Sequence, residues 1–194
     1  RAVIVDIVTG EEIVTSVREY AHGVMADKFV NGETLPADFA LQHPGDYLDV
    51  LYFIVKDCLD RSGVDPADIV GVGVDFTACT ILPVTKEGKP LCFLEEYRDN
   101  PHAYVKLWKH HAAQKEADEV NALAREMGAE WLKHYGGAIS SEWMFPKVLE
   151  ILRADEELYH RTERFIEAGD WINFLLTGKE THAAAFVGYK SFWD

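Results

Sequence analysis

Gly71-Val72-Gly73-Val74-Asp75-Phe76-Thr77-Ala78-Cys79-Thr80 is the stretch on which the reading of this chain turns. From Ile69 to Val74, β-branched residues alternate with small ones, the pattern of a buried strand, and a strand is predicted over 69–75. That strand ends on a carboxylate, a Thr and two small residues. Ligands of open α/β sheets bind outside the carboxyl ends of strands, and small residues there let a ligand approach closely. The spacing therefore predicts a binding site at Asp75–Thr80. An Asp and a Thr also close ordinary turns, and on spacing alone that reading stands beside the first.

Outward from this run the chain alternates strand and helix signals. Residues 2–8 and 12–19 predict two strands joined through Thr9-Gly10-Glu11 as an antiparallel hairpin. Residues 20–43 lack a steady period and predict a loop with a short helix near Ala37–Gln42. Pro44-Gly45-Asp46 opens a helix with an apolar stripe of Tyr47, Leu48, Leu51, Ile54, Val55, Cys58 and Leu59, ended at Ser62-Gly63. Asp65-Pro66-Ala67-Asp68 is a small capped turn. Strands at 80–84 and 90–94 flank a turn at Lys86–Lys89. Beyond Pro101 the text predicts helices over 102–127, 129–135 and 145–153, with Pro146 suited to a first turn. A strand at 164–167 and a helix over 170–176, closed by Thr177-Gly178, complete a mixed α/β order.

The 194 residues, 48% hydrophobic and 27% charged, suit one domain or a large part of a bigger one. A net charge of -14 disfavours nucleic acid and anionic membranes as partners. A phosphorylated ligand would need local positive charge, backbone N–H groups or a metal ion. No apolar run approaches the roughly 20 residues of a membrane span. Cys58, Cys79 and Cys92 are odd in number and form no Cys-x-x-Cys pair, which fits a reducing, cytoplasmic setting. Cys79 is either a reactive thiol or a small buried filler. The chain opens on Arg1 directly into a strand with no signal peptide ahead of it, and Phe192-Trp193-Asp194 carries no stop signal. A piece excised from a longer protein is expected.

Several side chains invite a chemical reading. In Lys106-Leu107-Trp108-Lys109-His110-His111, Trp108 and Lys109 could pack against and hydrogen-bond a sugar; equally, Leu107 and Trp108 could face a core while the cations are solvated. Adjacent helical residues point about 100° apart, so His110 and His111 make a poor metal pair. Ser140-Ser141-Glu142-Trp143 after Gly136-Gly137 suits a carbohydrate rim or a capped helix start. Lys190, in Gly188-Tyr189-Lys190-Ser191, could meet an anion or a hydroxyl, or be solvated. There is no Gly-x-x-x-x-Gly-Lys-Ser/Thr loop, no Gly-x-Gly-x-x-Gly opening a helix and no Gly-x-Ser-x-Gly elbow. Gly71-x-Gly73 lies within the predicted strand and is not a dinucleotide fingerprint.

Four stretches, in order, resemble the FGGY family of carbohydrate kinases, and within it the members acting on L-ribulose. They are Gly71–Thr80; Asn100-Pro101-His102 through Leu107–Gln114; Gly136-Gly137 with Ser140–Met144 and Pro146-Lys147; and Asp170-Trp171-Ile172 to Leu176-Thr177-Gly178. The last stretch and the Pro-Lys helix start are widespread in the family. Asp-Phe-Thr-Ala and Trp-Lys-His-His look particular to the L-ribulose group, since xylulose kinases usually carry Trp-Asn-Asp at the second place. The similarity runs nearly the whole chain.

The resemblance implies a ribonuclease H-like, actin and hexokinase type α/β fold, a mixed sheet flanked by helices with helical insertions. Residues 1–194 would be the N-terminal, sugar-binding domain. The implied reaction is ATP-dependent phosphorylation of the 5-hydroxyl of L-ribulose in arabinose breakdown, with ATP and Mg2+ bound mainly by parts outside this chain. A xylulose or other pentulose kinase, and a non-catalytic sugar-binding module of the same fold, are the alternatives. Carried over residue by residue, sugar would meet Asp75, Thr77, Ala78, Trp108, Lys109 and Lys190. The family's Asp-x-Gly-Thr phosphate turn would precede Arg1, and its catalytic base would follow Asp194. The fragment alone is therefore expected to be inactive, because phosphoryl transfer rests on positioning and charge neutralisation. Neither nucleic acid nor membrane is implied as a partner, and a homodimer is left open.

Overall fold

Residues 1–191 of the chain are described by a computed structural model, Tyr189 by its backbone only. Phe192-Trp193-Asp194, which carries no stop signal, lies outside the described residues. Two compact units divide the chain.

The first unit comprises residues 1–23 and 43–73. Strands β1 (Ala2–Val5) and β2 (Glu12–Ser16) form the predicted antiparallel hairpin, in register Ala2↔Ser16 and Ile4↔Val14. The Asp6 carboxylate holds its turn by accepting the N–H groups of Val8 and Thr9. Helix α1 (Pro44–Ser62) starts where expected, with Pro44 in the first turn and the His43 Nδ1 accepting the Gly45 N–H at 3.0 Å. It ends at Gly63, whose φ of 69° is the left-handed cap that glycine adopts without strain. Its buried face is Tyr47, Val50, Ile54 and Cys58; Val55 is exposed, so the apolar stripe runs one column from its predicted course. Asp65 caps a single 3-10 turn at Pro66–Asp68.

The predicted strand over 69–75 is absent. Val70 and Val72 are 77% and 76% exposed, and no regular structure spans residues 69–78. Strand propensity measures fit to a pleated, half-buried surface. Among the described residues none pairs with this segment, and the propensity goes unused.

The second unit comprises residues 24–42 and 74 onward. Its strands are β3 (Leu41–Gln42), β4 (Ile81–Val84), β5 (Val105–Lys106) and β6 (Arg164–Glu167), in the order β3-β5-β4-β6. Its helices are α2 (Gln114–Glu126), α3 (Met144–Ala154), α4 (Glu156–Arg161), α5 (Ala168–Thr177) and α6 (Ala184–Lys190). The α/β class stands, but every strand pairing among the described residues is antiparallel instead of mixed. β4 is buried throughout and pairs with β6 from Ile81↔Glu167 to Val84↔Arg164. Its Pro83, with no N–H to give, lies past Ile81, where pairing with β5 stops. The main core gathers Phe29, Phe39, Leu41, Leu91, Tyr104 and Ile151.

Predicted boundaries hold for α3, β6 and α5, where periodicity and caps agree. They fail in four places. Residues 37–42 form no helix: Asp38 takes φ 66° and the chain enters β3. Residues 90–94 make a 3-10 turn at Leu91–Phe93, leaving one bridge, Val84↔Pro90. The long helix over 102–127 shrinks to α2, preceded by a 3-10 turn at Pro101–Ala103 and by β5; 129–135 is 3-10 as well. Ala103 to Leu107 are all buried, a continuous run wider than one face of a half-exposed helix, and Val105 and Lys106 pair with Gln42 and Leu41 instead. No described helix is long and apolar enough to cross a membrane.

Candidate functional site

The segment Asp75–Thr80 runs from solvent into the second unit. Asp75 and Thr77 are exposed, Ala78 is half-buried, and Cys79 and Thr80 are buried. The Thr77 hydroxyl lies 2.8 Å from that of Thr80. Cys79 takes φ 62°, a left-handed conformation that costs a non-glycine residue about 1–2 kcal/mol. Neighbours on both sides fix that peptide. Glu167, closing β6, accepts the N–H groups of Cys79 and Thr80, each at 2.9 Å. Lys147, in the first turn of α3, donates from Nζ to the Cys79 carbonyl at 2.7 Å and to the Leu107 carbonyl at 2.6 Å. Burial pulls the Lys147 ammonium down to about 7 and pushes the Glu167 carboxyl up to about 7, the latter against its two backbone N–H bonds.

Lys147 thus joins two segments that the sequence had marked separately. Trp108 follows Leu107 directly and is 43% exposed. Phe76 reaches the start of α5 because Gly169 has no side chain; a Cβ there would lie 2.9 Å from the Phe186 ring and 3.2 Å from the Phe76 Cβ. Phe186 belongs to α6, whose last residue, half-buried Lys190, acts on the Cys79 thiol by its charge. Asp75, Thr77, Ala78, Trp108 and Lys190 are therefore carried by mutually packed segments. Lys109 turns elsewhere: it lines a groove of about 440 Å³ with Lys28, Phe39 and His111, and no residue of Asp75–Thr80 lines that groove.

Other candidates resolve plainly. Cys79 is the buried filler, its thiol pushed by burial up to about 12. His110 and His111 diverge: His110 is buried against Glu150 at 2.9 Å, while half-exposed His111 pairs with Glu142 at 3.3 Å. The Ser140 hydroxyl accepts the Glu142 N–H, and Trp143 stands at the N-cap position of α3 without a side-chain capping bond, so this stretch is a helix entry.

Three groupings escaped the sequence reading. Lys147 with Glu167 is one. The second is the buried network of Lys106, His110 and Glu150, with Lys106 Nζ 3.3 Å from both partners. Neither carries a local signal, because buried partners come together from distant segments. The third lies in the first unit, where donor atoms of His22, His43 and Asp46 fall within 4.8 Å of one another. There the His22 ring meets Asp46 at 2.7 Å, and His43 Nδ1 already accepts the Gly45 N–H, so all three residues are engaged within the protein.

Comparison with known proteins brings these segments under one heading. No family model matches the chain. The ribulokinase of Bacillus licheniformis is 49% identical over 195 residues, covering 100% of this chain and 35% of that protein. The ribulokinase of Halalkalibacterium halodurans is 50% identical over 194 residues, covering 100% of this chain and 34% of that protein. The chain spans about a third of the length of the curated relatives it matches. Among solved structures, a ligand-bound xylulose kinase from Lactobacillus acidophilus superposes with a TM-score of 0.66 at 16% identity, covering 97% of this chain and 33% of that one. A gluconate kinase from the same organism gives a TM-score of 0.58 at 15% identity over 84% of this chain and 32% of that one. At such identities these two likenesses show a shared fold, that of sugar kinases of the actin and hexokinase type.

Proposed function

We propose that this chain, which belongs by sequence with the ribulokinases of the FGGY carbohydrate-kinase family, supplies the sugar-binding part of a longer ATP-dependent ketopentose kinase. The reaction is transfer of the γ-phosphoryl group of ATP to the 5-hydroxyl of L-ribulose, giving L-ribulose 5-phosphate in arabinose catabolism. The observation that carries this reading is identity of about one half to ribulokinases from end to end of the chain.

The site geometry supports a polyol ligand. Exposed Asp75 and Thr77 present an acceptor and a hydroxyl suited to sugar hydroxyls. Ala78 allows close approach, the Trp108 indole offers an apolar face for a ring or chain, and Lys190 offers a cation for a carbonyl or hydroxyl oxygen. Lys109, at the separate groove, has a weaker claim. Mg2+ prefers several oxygen ligands, and the His22, His43 and Asp46 grouping offers one carboxylate that is already engaged. We assign Mg2+ and ATP, and the base that takes the hydroxyl proton, to other parts of the longer protein. ATP with Mg2+ would supply the phosphoryl group and neutralise its charge; this chain would hold the sugar in line. We place the reaction in the cytoplasm, with no nucleic acid or membrane partner.

Calorimetric titration of the full-length protein with L-ribulose, D-xylulose and L-arabinose is the test. L-ribulose should bind at least about tenfold more tightly than the others, and ATP turnover should follow the same order. Equal binding of D-xylulose would move the assignment to another pentulose. Binding without turnover would make the full-length protein a sugar sensor.

A further inference from the structure

We propose that Lys147 and Glu167 form a backbone clamp that positions the sugar-facing segments, with Lys147 as the positioning residue that couples Asp75–Ala78 to Trp108. This rests on the sugar-site reading above. Lys147 is completely buried, yet both of its hydrogen bonds go to main-chain carbonyls, Cys79 at 2.7 Å and Leu107 at 2.6 Å. Among the described residues its side chain makes no ion pair, and the Glu167 and Glu142 carboxylates reach it only through their charge. A buried ammonium without an ionic partner is costly and stabilises a fold poorly. Bonds from an ammonium to two carbonyls are strong and directional, and they fix where those carbonyls sit.

The carbonyls belong to segments 28 residues apart, each next to a proposed sugar contact. Cys79 follows Ala78, and Leu107 precedes Trp108. The Cys79 peptide is also held from its other side, because Glu167 takes the N–H groups of Cys79 and Thr80. A residue at φ 62° outside glycine persists where its surroundings over-determine it, and these bonds do so. The unused strand propensity of 69–74 fits the same picture: residues 70–73 are exposed, whereas Cys79 and Thr80 are buried.

The test uses the full-length enzyme. Lys147→Met keeps the length of the side chain and removes its donors. It should raise the KM for L-ribulose about tenfold or more while the KM for ATP changes less than about twofold. A merely structural lysine would lower the melting temperature and leave the sugar KM of the folded enzyme alone, and that result overturns the proposal. Should Lys147→Met not fold, Glu167→Gln, which keeps the shape and one acceptor, should raise the sugar KM about threefold to fivefold; no change overturns the clamp. In the unmodified protein, the Cys79 and Thr80 amides should exchange at least about 100-fold more slowly than those of Gly71–Gly73, and equal rates overturn it without any variant. Trp108→Ala separates the two failures. If it raises the sugar KM while the clamp variants do not, the site stands and the clamp falls. If it too leaves the sugar KM unchanged, the site reading itself is wrong.

Discussion

Lys106 and Lys147 are both wholly buried in the second unit, and they are compensated in different ways. Lys106 sits on β5 with a carboxylate, Glu150, and an imidazole, His110, each 3.3 Å from its Nζ, and with the Phe39 ring 4.8 Å away. Burial pulls its ammonium down to about 8 while Glu150 holds it up; burial pushes the Glu150 carboxyl up, but His110 and Lys106 outweigh it and take that carboxyl down to about 2. Lys147 gives its protons to main-chain oxygens, while the Glu167 and Glu142 carboxylates act on it only through their charge. A charge balanced by side chains can be traded for apolar packing without moving the backbone. A charge balanced by carbonyls cannot, because those carbonyls then have no donor. The contrast separates a lysine that serves the core from one that serves the shape of a site.

Removing Glu150 is the largest blow to the first side of this contrast. Glu150→Ala leaves Lys106 buried and unpaired, a loss of about 3–5 kcal/mol. The melting temperature should fall by several degrees, the shift per kcal/mol shrinking as the folding unit grows. The sugar KM of the folded enzyme should not move. If it rises as much as in Lys147→Met, the two lysines do the same job and the contrast collapses.

Trp108→Ala sharpens the second side. Its indole is 43% exposed beside the Leu107 carbonyl that Lys147 holds. In the full-length enzyme the substitution should raise the KM for L-ribulose about tenfold, some 1.4 kcal/mol, with the KM for ATP almost unchanged. Equal effects on both would make Trp108 part of the general packing.

Acid distinguishes the two networks by sign. Burial lowers His102 and His110 to about 4, so the stability that goes with their neutral forms is present above 6.5 and lost as pH falls through 4. Glu150 adds stability present above 4.5 that is lost as pH falls through about 2. Glu167 runs the other way: raised to about 7, it contributes stability present below 4.5 and lost as pH rises through 7. Between pH 7 and 4.5 Glu167 therefore offsets part of the histidine loss. Glu167→Gln should make the melting temperature fall more steeply over that interval than in the unmodified protein, whereas Glu150→Gln should leave the slope there nearly unchanged. A shallower slope in Glu167→Gln would place its proton elsewhere.

What the sequence let one see follows the same division between local and distant causes. The hairpin, α1, α3, β6 and α5 were legible because turn residues, caps and apolar periods are written within each segment. Residues 69–75 were misread because their β-branched pattern states a propensity, and a strand also needs a partner. The helix over 102–127 was misread because Lys106 and His110 look like solvated cations until Glu150, some 40 residues on, is brought against them. The candidate contacts Asp75, Thr77 and Trp108 could be named from motifs. Lys147 could be seen only as half of a Pro-Lys helix start, since nothing local says that its ammonium ends on the carbonyls of residues 79 and 107.

The smallest expected effect lies on the open side of the clamp. Asp75 is exposed and precedes the first clamped peptide by four residues. Asp75→Asn should shift the melting temperature by less than about 2 °C, within the range of surface substitutions. An amide keeps the oxygen acceptor but gives up the charge-assisted bond to a sugar hydroxyl, worth roughly twice a neutral one. The affinity for L-ribulose should therefore drop about threefold to tenfold. A collapse in stability with normal sugar binding would show that Asp75 belongs to the folded core of the segment, and the line between scaffold and site would then have to be drawn before residue 75.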